Sequence, residues 1–94
     1  MIKILDRIKQ QIIEQRYEIT NHALEKAADD DFDIFDIEKA LITGKIIKKY
    51  TNDPRGTRYK IIGAAGDYTR NVVVVGRFRG DKIFRIITIY DADK

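Results

Sequence analysis

The sequence predicts an α+β domain in which N-terminal helices pack on one face of a four-stranded antiparallel sheet. Up to Gly44, apolar residues recur at intervals of three and four, which is the spacing of one helix face. After Gly44 the pattern changes to short runs rich in isoleucine, valine and tyrosine, which favour strands. With 94 residues and no internal repeat, the chain is expected to form one domain over residues 1–94.

Two of the predicted helices precede the acidic stretch of the sequence. The first spans residues 2–16, and a short extended segment separates it from the second, at 20–28. Thr20 is the predicted N-cap of the second helix, because its hydroxyl would accept a hydrogen bond from a free N–H group. The side chains of this helix expected to face inward are Ala23, Leu24, Ala27 and Ala28.

The third predicted helix, residues 33–43, has the clearest boundaries. Asp33 is the expected N-cap, and Asp36 three residues later completes a capping box. Gly44 follows as the terminating glycine. The acidic stretch lacks the glycine and the terminal glutamate of a calcium loop. We therefore interpret its side chains as helix caps and not as a cation site.

The strands are predicted to form a meander. Asp53 to Gly56 matches the preferences of a type I turn, and Gly80 with Asp81 suits a tight hairpin turn. The last two strands are apolar on both faces and are therefore expected at the centre of the sheet. The predicted strands span residues 45–50, 58–63, 71–78 and 82–90.

Composition excludes several classes of function. The absence of cysteine rules out disulfides and thiolate chemistry, and no phosphate-binding loop or dinucleotide fingerprint occurs. We therefore expect no metal, no cofactor and no bound nucleotide cofactor. Apolar runs are far shorter than the roughly 20 residues of a membrane helix, which favours a cytoplasmic protein without a membrane partner.

Charge is distributed unevenly along the chain. Residues 1–44 carry six basic and ten acidic side chains, a net charge of −4, whereas residues 45–94 carry twelve and five, a net charge of +7. A basic half of this kind indicates an anionic partner, of which RNA is the leading candidate. The alternative is a solvated sheet face whose cations only maintain solubility and protect strand edges.

Six of the twelve cations in the basic half are arginines, whose planar guanidinium suits bidentate contacts with phosphate. Arg58 begins the second strand, and Lys26 is predicted on the second helix. Tyr59, Tyr68 and Tyr90 would offer stacking surfaces for unpaired bases. The other candidate phosphate ligands in this half are Arg55, Arg77, Arg79 and Arg85.

His22 is the only histidine and therefore the first candidate for proton transfer. With Thr20 as N-cap, His22 is the second residue of its helix, where the helix dipole disfavours an imidazolium. Lys26 would share its helix face. The alternative is a histidine that only packs near the start of its helix. A single histidine also means that a second acid or base must be another residue type.

Several short segments together resemble the domain of unknown function 4258 family. The similarity extends from about Ile19 to Tyr90. The resemblance implies a fold like that of barnase and the RelE ribonuclease toxins, and a toxin held by an acidic antitoxin protein. The segments that carry it are TNHALEKA, FDIEKALITGKIIKKY, DPRGTRYKIIG, VVVVGRF and RIITIY.

The resemblance also implies site residues. His22 matches the histidine of the family at the helix start, and polar strand positions of the family correspond to Arg58, Thr88 and Tyr90. We accordingly expect catalytic roles for His22, Arg58 and Tyr90, and an RNA-binding role for Thr88.

Two positions depart from the family pattern. Many members resemble one another in an arginine near the end of the second helix, where this chain has Asp30. They also share a histidine at the start of the third strand, where this chain has Asn71 or Val72. The sequence therefore leaves two functions open: a metal-independent endoribonuclease acting by transesterification, and a non-catalytic RNA-binding or protein-interaction module on the same fold.

Overall fold

A computed structural model describes residues 3–80 and 83–93. Within these residues, no helix is long and apolar enough to cross a membrane. The elements, in chain order, are α1 (Ile4–Ile13), β1 (Tyr17–Ile19), α2 (Asn21–Asp29), α3 (Ile34–Thr43), β2 (Lys45–Tyr50), β3 (Arg58–Ala64), β4 (Asn71–Arg79) and β5 (Ile83–Asp91).

The sheet contains five strands in the order β1-β5-β4-β3-β2. The last four strands form the expected antiparallel meander, with β4 at the centre. The prediction of a four-stranded, wholly antiparallel sheet is wrong, because β1 adds to the free edge of β5 in parallel. Three residues are too few to show a strand pattern in the sequence, and β1 forms because β5 offers it unpaired backbone groups.

The three helices contribute side chains to one apolar core beneath the sheet. Alternation along the strands directs every second side chain of β3, β4 and β5 into this core. Phe84 is fully buried and contacts Phe78 edge to face, with ring centroids 5.4 Å apart. The other large, fully buried side chains are Ile8, Ile12, Ile37, Leu41, Ile61, Val72, Val74, Ile86 and Ile89.

The helices differ from expectation at their ends and faces. The helix predicted to reach residue 16 ends at Ile13, and Gln15 adopts a left-handed φ of 58° as the chain turns into β1. On α2, Ala23 and Ala27 are buried, but Leu24 and Ala28 are exposed. The expected four-residue inward face is therefore wrong, because the contact of α2 with β5 buries a single narrow stripe.

Acidic side chains organise the start of α3. The backbone N–H of Asp36 donates to Asp33 Oδ1 at 2.8 Å, and the N–H of Asp33 donates to Asp36 Oδ2 at 3.0 Å. This is the predicted capping box. Asp36 Oδ1 also accepts from the N–H of Gly66 at 2.8 Å, which ties α3 to the loop after β3.

The connections between strands follow their turn residues. Gly56 N–H donates to the carbonyl of Asp53 at 3.0 Å, as a type I turn requires. The antiparallel pairing of β4 and β5 continues as far as Arg79 and Ile83. The predicted turn at Gly80 and Asp81 involves positions 81 and 82, which lie outside the described residues.

Tyr17 connects β1 to α3. Its hydroxyl donates to Glu38 Oε2 at 2.5 Å. Burial, together with this hydrogen bond, raises the pKa of Tyr17 well above its ordinary value of 10.0. The folded state thus holds the phenol proton more tightly than the unfolded state. Its contribution to stability is complete below pH 10 and is lost as the pH rises further.

We therefore expect Tyr17→Phe to lower the free energy of unfolding at neutral pH by about 1.5–3 kcal/mol, the contribution of one hydrogen bond to a charged group. The deficit should shrink above pH 10, where the wild-type phenol titrates on unfolding. Urea unfolding of wild type and variant, at neutral pH and above pH 10, measures the deficit in the free energy of unfolding. Tyr68→Phe, at a ring that is 66% exposed, is the control and should match wild type. A deficit of constant size at alkaline pH would contradict the assignment.

Candidate nucleic-acid interface

The face of the sheet opposite the helices carries most of the predicted site residues. Strand alternation that buries Ile61, Val74 and Ile89 turns their neighbours outward. We call this surface the open face. Its residues on the three inner strands are Arg58, Lys60, Ile62, Val73, Val75, Arg77, Arg79, Arg85, Thr88 and Tyr90.

Three arginines form one row across the open face. Arg77 pairs directly with Arg85 on the next strand. Arg58 lies one step beyond the Tyr59–Gly76 pair, which places it opposite Arg77. Neighbouring strands are about 4.8 Å apart, so three guanidinium groups share a narrow strip. Their mutual repulsion creates a strong preference for an anion at this position.

These arginines line a cavity of about 210 Å³, which we call the arginine cavity. Arg55 reaches it from the loop between β2 and β3, and Thr20 borders it at the start of α2. The described residues that line it are Thr20, Arg55, Arg58, Arg77, Arg85 and Ile87, and no carboxylate is among them.

A bulge in β5 brings α2 to this cavity. Thr88 and Ile86 pair with consecutive residues of β4, which leaves Ile87 as an extra residue. The hydroxyl of Thr20 donates to the carbonyl of Ile87 at 3.2 Å and accepts from the N–H of Ala23 at 3.1 Å. Thr20 thus caps α2, as predicted, and also attaches its N-terminus to the sheet.

Asp53 is the counterion for the arginines of the loop side. Arg55 Nε lies 3.4 Å and Arg58 Nε 3.3 Å from its carboxylate oxygens. The Asp53 side chain is only 7% exposed, and its pKa is lowered chiefly by the hydrogen bond from the backbone N–H of Arg55. Arg58 Nε is buried and not aligned for a hydrogen bond, so its contact with Asp53 is an ion pair only.

Glu18 on β1 has the same role at the other edge. Its Oε1 atom lies 3.0 Å from Arg79 Nε and 3.6 Å from Arg85 Nε. Arg79, predicted to bind RNA, therefore belongs to an exposed ion pair beside the cavity and does not line it. Over residues 3–80 and 83–93, Arg77 has no carboxylate within 4.0 Å. Arg77 is consequently the cation of the row best placed to accept an external anion.

His22 lies beside the next row of the open face. It is the second residue of α2, is exposed, and its Nε2 atom is 3.4 Å from Thr88 Oγ1. Thr88 pairs with Val75, two residues from Arg77, which corresponds to roughly 7 Å along the strand. Lys26, one helical turn further, is half-buried and does not line the arginine cavity.

Tyr90 lies one row further still. It pairs with Val73, four residues from Arg77, or roughly 13 Å along the strand. Lys60 Nζ is 5.6 Å from the centroid of its ring, and the hydrogen bond between these side chains raises the pKa of Lys60. The fold thus brings Arg58 and His22 to adjacent rows and places Tyr90 at a distance from the arginines.

The other tyrosines do not offer the predicted stacking surface on the open face. Tyr59 faces the helices and is 9% exposed, and Tyr68 lies on the loop after β3 with Lys39 Nζ 4.6 Å from its ring centroid. Tyr50, which the sequence reasoning omitted, does border this surface. Thr20 and Asp53 were predicted only as a helix cap and as the first residue of a type I turn, and not as parts of the site. Glu18 had no signal in the sequence.

Asp30, where the family pattern has an arginine, has a structural role. It is the C-cap of α2, and its Oδ2 atom accepts from the N–H of Asp91 at 3.0 Å. A guanidinium nevertheless reaches this end of the helix, because Arg70 donates to the carbonyls of Asp30 at 2.6 Å and Asp31 at 3.2 Å. Its Cζ atom also lies 4.3 Å from the Phe32 ring centroid. At the other departure, Asn71 is exposed at the start of β4 and Val72 is fully buried.

The domain belongs to the α+β class, with helices on one face of a mixed sheet and arginines gathered on the other. The chain belongs to the DUF4258 family, described as a domain of unknown function, whose model matches residues 19–91. The structure is similar to the 1.1 Å crystal structure of the Brucella abortus ribonuclease toxin BrnT, with a TM-score of 0.53 and 17% sequence identity. The similarity covers 83% of this chain and 99% of that chain. A comparison with curated proteins found no match.

Proposed function

We propose that this protein is a metal-independent endoribonuclease that cleaves single-stranded RNA in the cytoplasm, and that it is the toxin of a toxin–antitoxin pair. The observation that carries the proposal is the row of Arg58, Arg77 and Arg85, with the only imidazole of the chain one row away. The fold shared with a ribonuclease toxin supports the same reaction class.

The proposed reaction is a transesterification within RNA. The 2′-oxygen forms a bond to the adjacent phosphorus while the bond from phosphorus to the 5′-oxygen breaks. His22 accepts the proton of the 2′-hydroxyl, and the departing 5′-oxygen takes a proton from water. Arg77 and Arg58 bind the non-bridging oxygens, whose negative charge increases in the phosphorane. His22 fits the proton-transfer role better than Tyr90 because its row is nearer to the arginines.

The proposed antitoxin is an acidic protein that covers the open face. The charge of +7 on residues 45–94 is concentrated on the sheet and its loops, which an acidic segment would complement. Such a partner would compete with RNA for the same arginines. The proposal therefore predicts that the bound antitoxin excludes RNA.

The test of the proposed activity is an assay of purified protein on single-stranded RNA in EDTA. The expected products end in 2′,3′-cyclic phosphates, because no water attacks the phosphorus in the first step. Expression in cells should arrest growth and shorten RNA. Absence of cleavage at high protein concentration would contradict the nuclease proposal.

The second candidate is a non-catalytic RNA-binding or protein-interaction module. It is favoured by Asp30, and by Asn71 or Val72, at the positions of the arginine and the histidine of the family pattern, and by the distance of Tyr90 from the arginines. RNA binding without cleavage, with affinity that falls steeply as salt rises, would support this alternative.

Glu18 is expected to weaken RNA binding, since its carboxylate competes with phosphate for Arg79 and Arg85. Glu18→Gln should raise the affinity for single-stranded RNA severalfold at low salt. The slope of log K against log salt should become steeper by up to about 0.7, the increment for one further neutralised phosphate. Asp6→Asn on α1 makes the same charge change away from the open face and is the control. Equal gains in both variants would show a non-specific effect of net charge.

A further inference from the structure

A second cavity lies at the loop between β2 and β3, next to the arginine cavity. Its volume is about 680 Å³, and we call it the loop cavity. Arg55 and Arg58 line both cavities and so form a shared wall. A ligand with its charged group in the arginine cavity therefore has an adjacent space for the group that follows.

The two cavities differ in charge. Among the described residues, four arginines and no carboxylate line the arginine cavity, whereas three cations, Lys49, Arg55 and Arg58, and the carboxylate of Asp53 line the loop cavity. A carboxylate in the wall repels a phosphate, and Asp53 already partners both arginines that the cavities share. The arginine cavity therefore has the higher net positive charge and suits the anion, which leaves the loop cavity for the uncharged group attached to it.

The loop cavity also has the surfaces that a flat heterocycle requires. The rings of Tyr50 and Pro54 line it. Arg58 Cζ and Lys48 Nζ each lie 5.0 Å from the Tyr50 ring centroid, which restricts the orientation of the ring. Asn52 is exposed, and its amide makes no hydrogen bond within the part of the chain that the structure describes. An aromatic face beside a free amide matches the stacking and edge contacts of a nucleobase.

We propose that the loop cavity binds the base of a nucleotide whose phosphate occupies the arginine cavity. Tyr50 and Pro54 contact the face of the base, and Asn52 contacts its edge. The inference rests on RNA being the ligand of the open face, as proposed above, and it makes the β2–β3 loop the determinant of base preference.

The experiment titrates isotope-labelled protein with each of the four ribonucleoside 5′-monophosphates and, as a base-free probe, with ribose 5-phosphate. At least one nucleotide should bind about fivefold or more tightly than ribose 5-phosphate, the lower end of the gain from stacking one base. That nucleotide alone should shift the NMR signals of the Asn52 side-chain amide and of the backbone amides of residues 51–53.

Variants separate the base from the phosphate. Asn52→Ala and Tyr50→Leu should reduce the affinity for the nucleotide towards that for ribose 5-phosphate, with binding of ribose 5-phosphate unchanged. Asn71→Ala, an exposed asparagine at the start of β4, is the matched control and should bind like wild type. Retained amide spectra exclude unfolding as the cause of a loss.

The inference is overturned if all four nucleotides bind no more tightly than ribose 5-phosphate, or if base-dependent shifts occur away from the loop. Its failure is distinct from failure of the nuclease proposal, because RNA cleavage is measured separately. If the protein cleaves RNA but binds no nucleotide more tightly than ribose 5-phosphate, only the proposal that the loop cavity binds a base is refuted. If it binds the base in the loop but cleaves nothing, only catalysis is refuted.

Discussion

The double variant His22→Ala/Arg58→Ala is expected to lose RNA cleavage by at least about a thousandfold, from the removal of one proton acceptor and one charge-stabilising group. The fold should persist, since Arg58 projects from the open face of the sheet and His22 is exposed at the start of α2. The measurement is the initial rate of RNA cleavage in EDTA, with circular dichroism to verify folding.

The single variants distinguish the two roles. His22→Ala should lower the cleavage rate with little change in RNA affinity, because the imidazole acts on a proton. Arg58→Ala should lower both the cleavage rate and the RNA affinity, because the guanidinium binds phosphate before and during the reaction. Lys3→Ala, at an exposed cation ahead of α1, is the control. Cleavage by the double variant at the wild-type rate would place the active site elsewhere.

Gly63→Ala is expected to destabilise the protein by about 3 kcal/mol or more, which for a domain of this size lowers Tm by about 15 °C. Gly63 lies on β3, where α3 crosses the sheet, and an added Cβ atom would overlap the backbone carbonyl of Ala40. Backbone atoms cannot move aside as a flexible side chain does, so α3 would have to separate from β3.

Gly66→Ala is the matched control for this effect. The nearest atoms to its added Cβ would belong to side chains: Phe35, which is 61% exposed and can rotate away, and Asp36 Oδ1. A smaller loss of stability is therefore expected than for contact with backbone. Thermal unfolding of both variants measures the difference. A Tm of Gly63→Ala equal to that of Gly66→Ala would contradict the close approach of helix and sheet.

The local elements were predictable because their signals involve neighbouring residues. The capping box of Asp33 and Asp36, the cap at Thr20 and the turn at Asp53 each depend on contacts within a few positions. The strand β1 was not predictable in this way. Its partner is β5, more than sixty residues later, and three residues carry no periodic signal of their own.

The candidate site was also predictable only in part. That arginines in alternating positions share a strand face follows from the period of two, and Arg77 and Arg79 obey it. That Arg58, Arg77 and Arg85 form one row depends on the register of three strands, which the bulge at Ile87 shifts locally. The counterion role of Glu18 required β1 to join the sheet first.

The sequence by itself determined the order of the three helices and the last four strands, the turns of the meander and the basic character of the sheet, since these depend on local spacing and composition. The tertiary structure alone decided which cations meet, which of them Asp53 and Glu18 neutralise, and how near His22 lies to them. The reason is physical: contacts across strands follow from register and packing between distant segments, and a shift of a single residue changes every such contact.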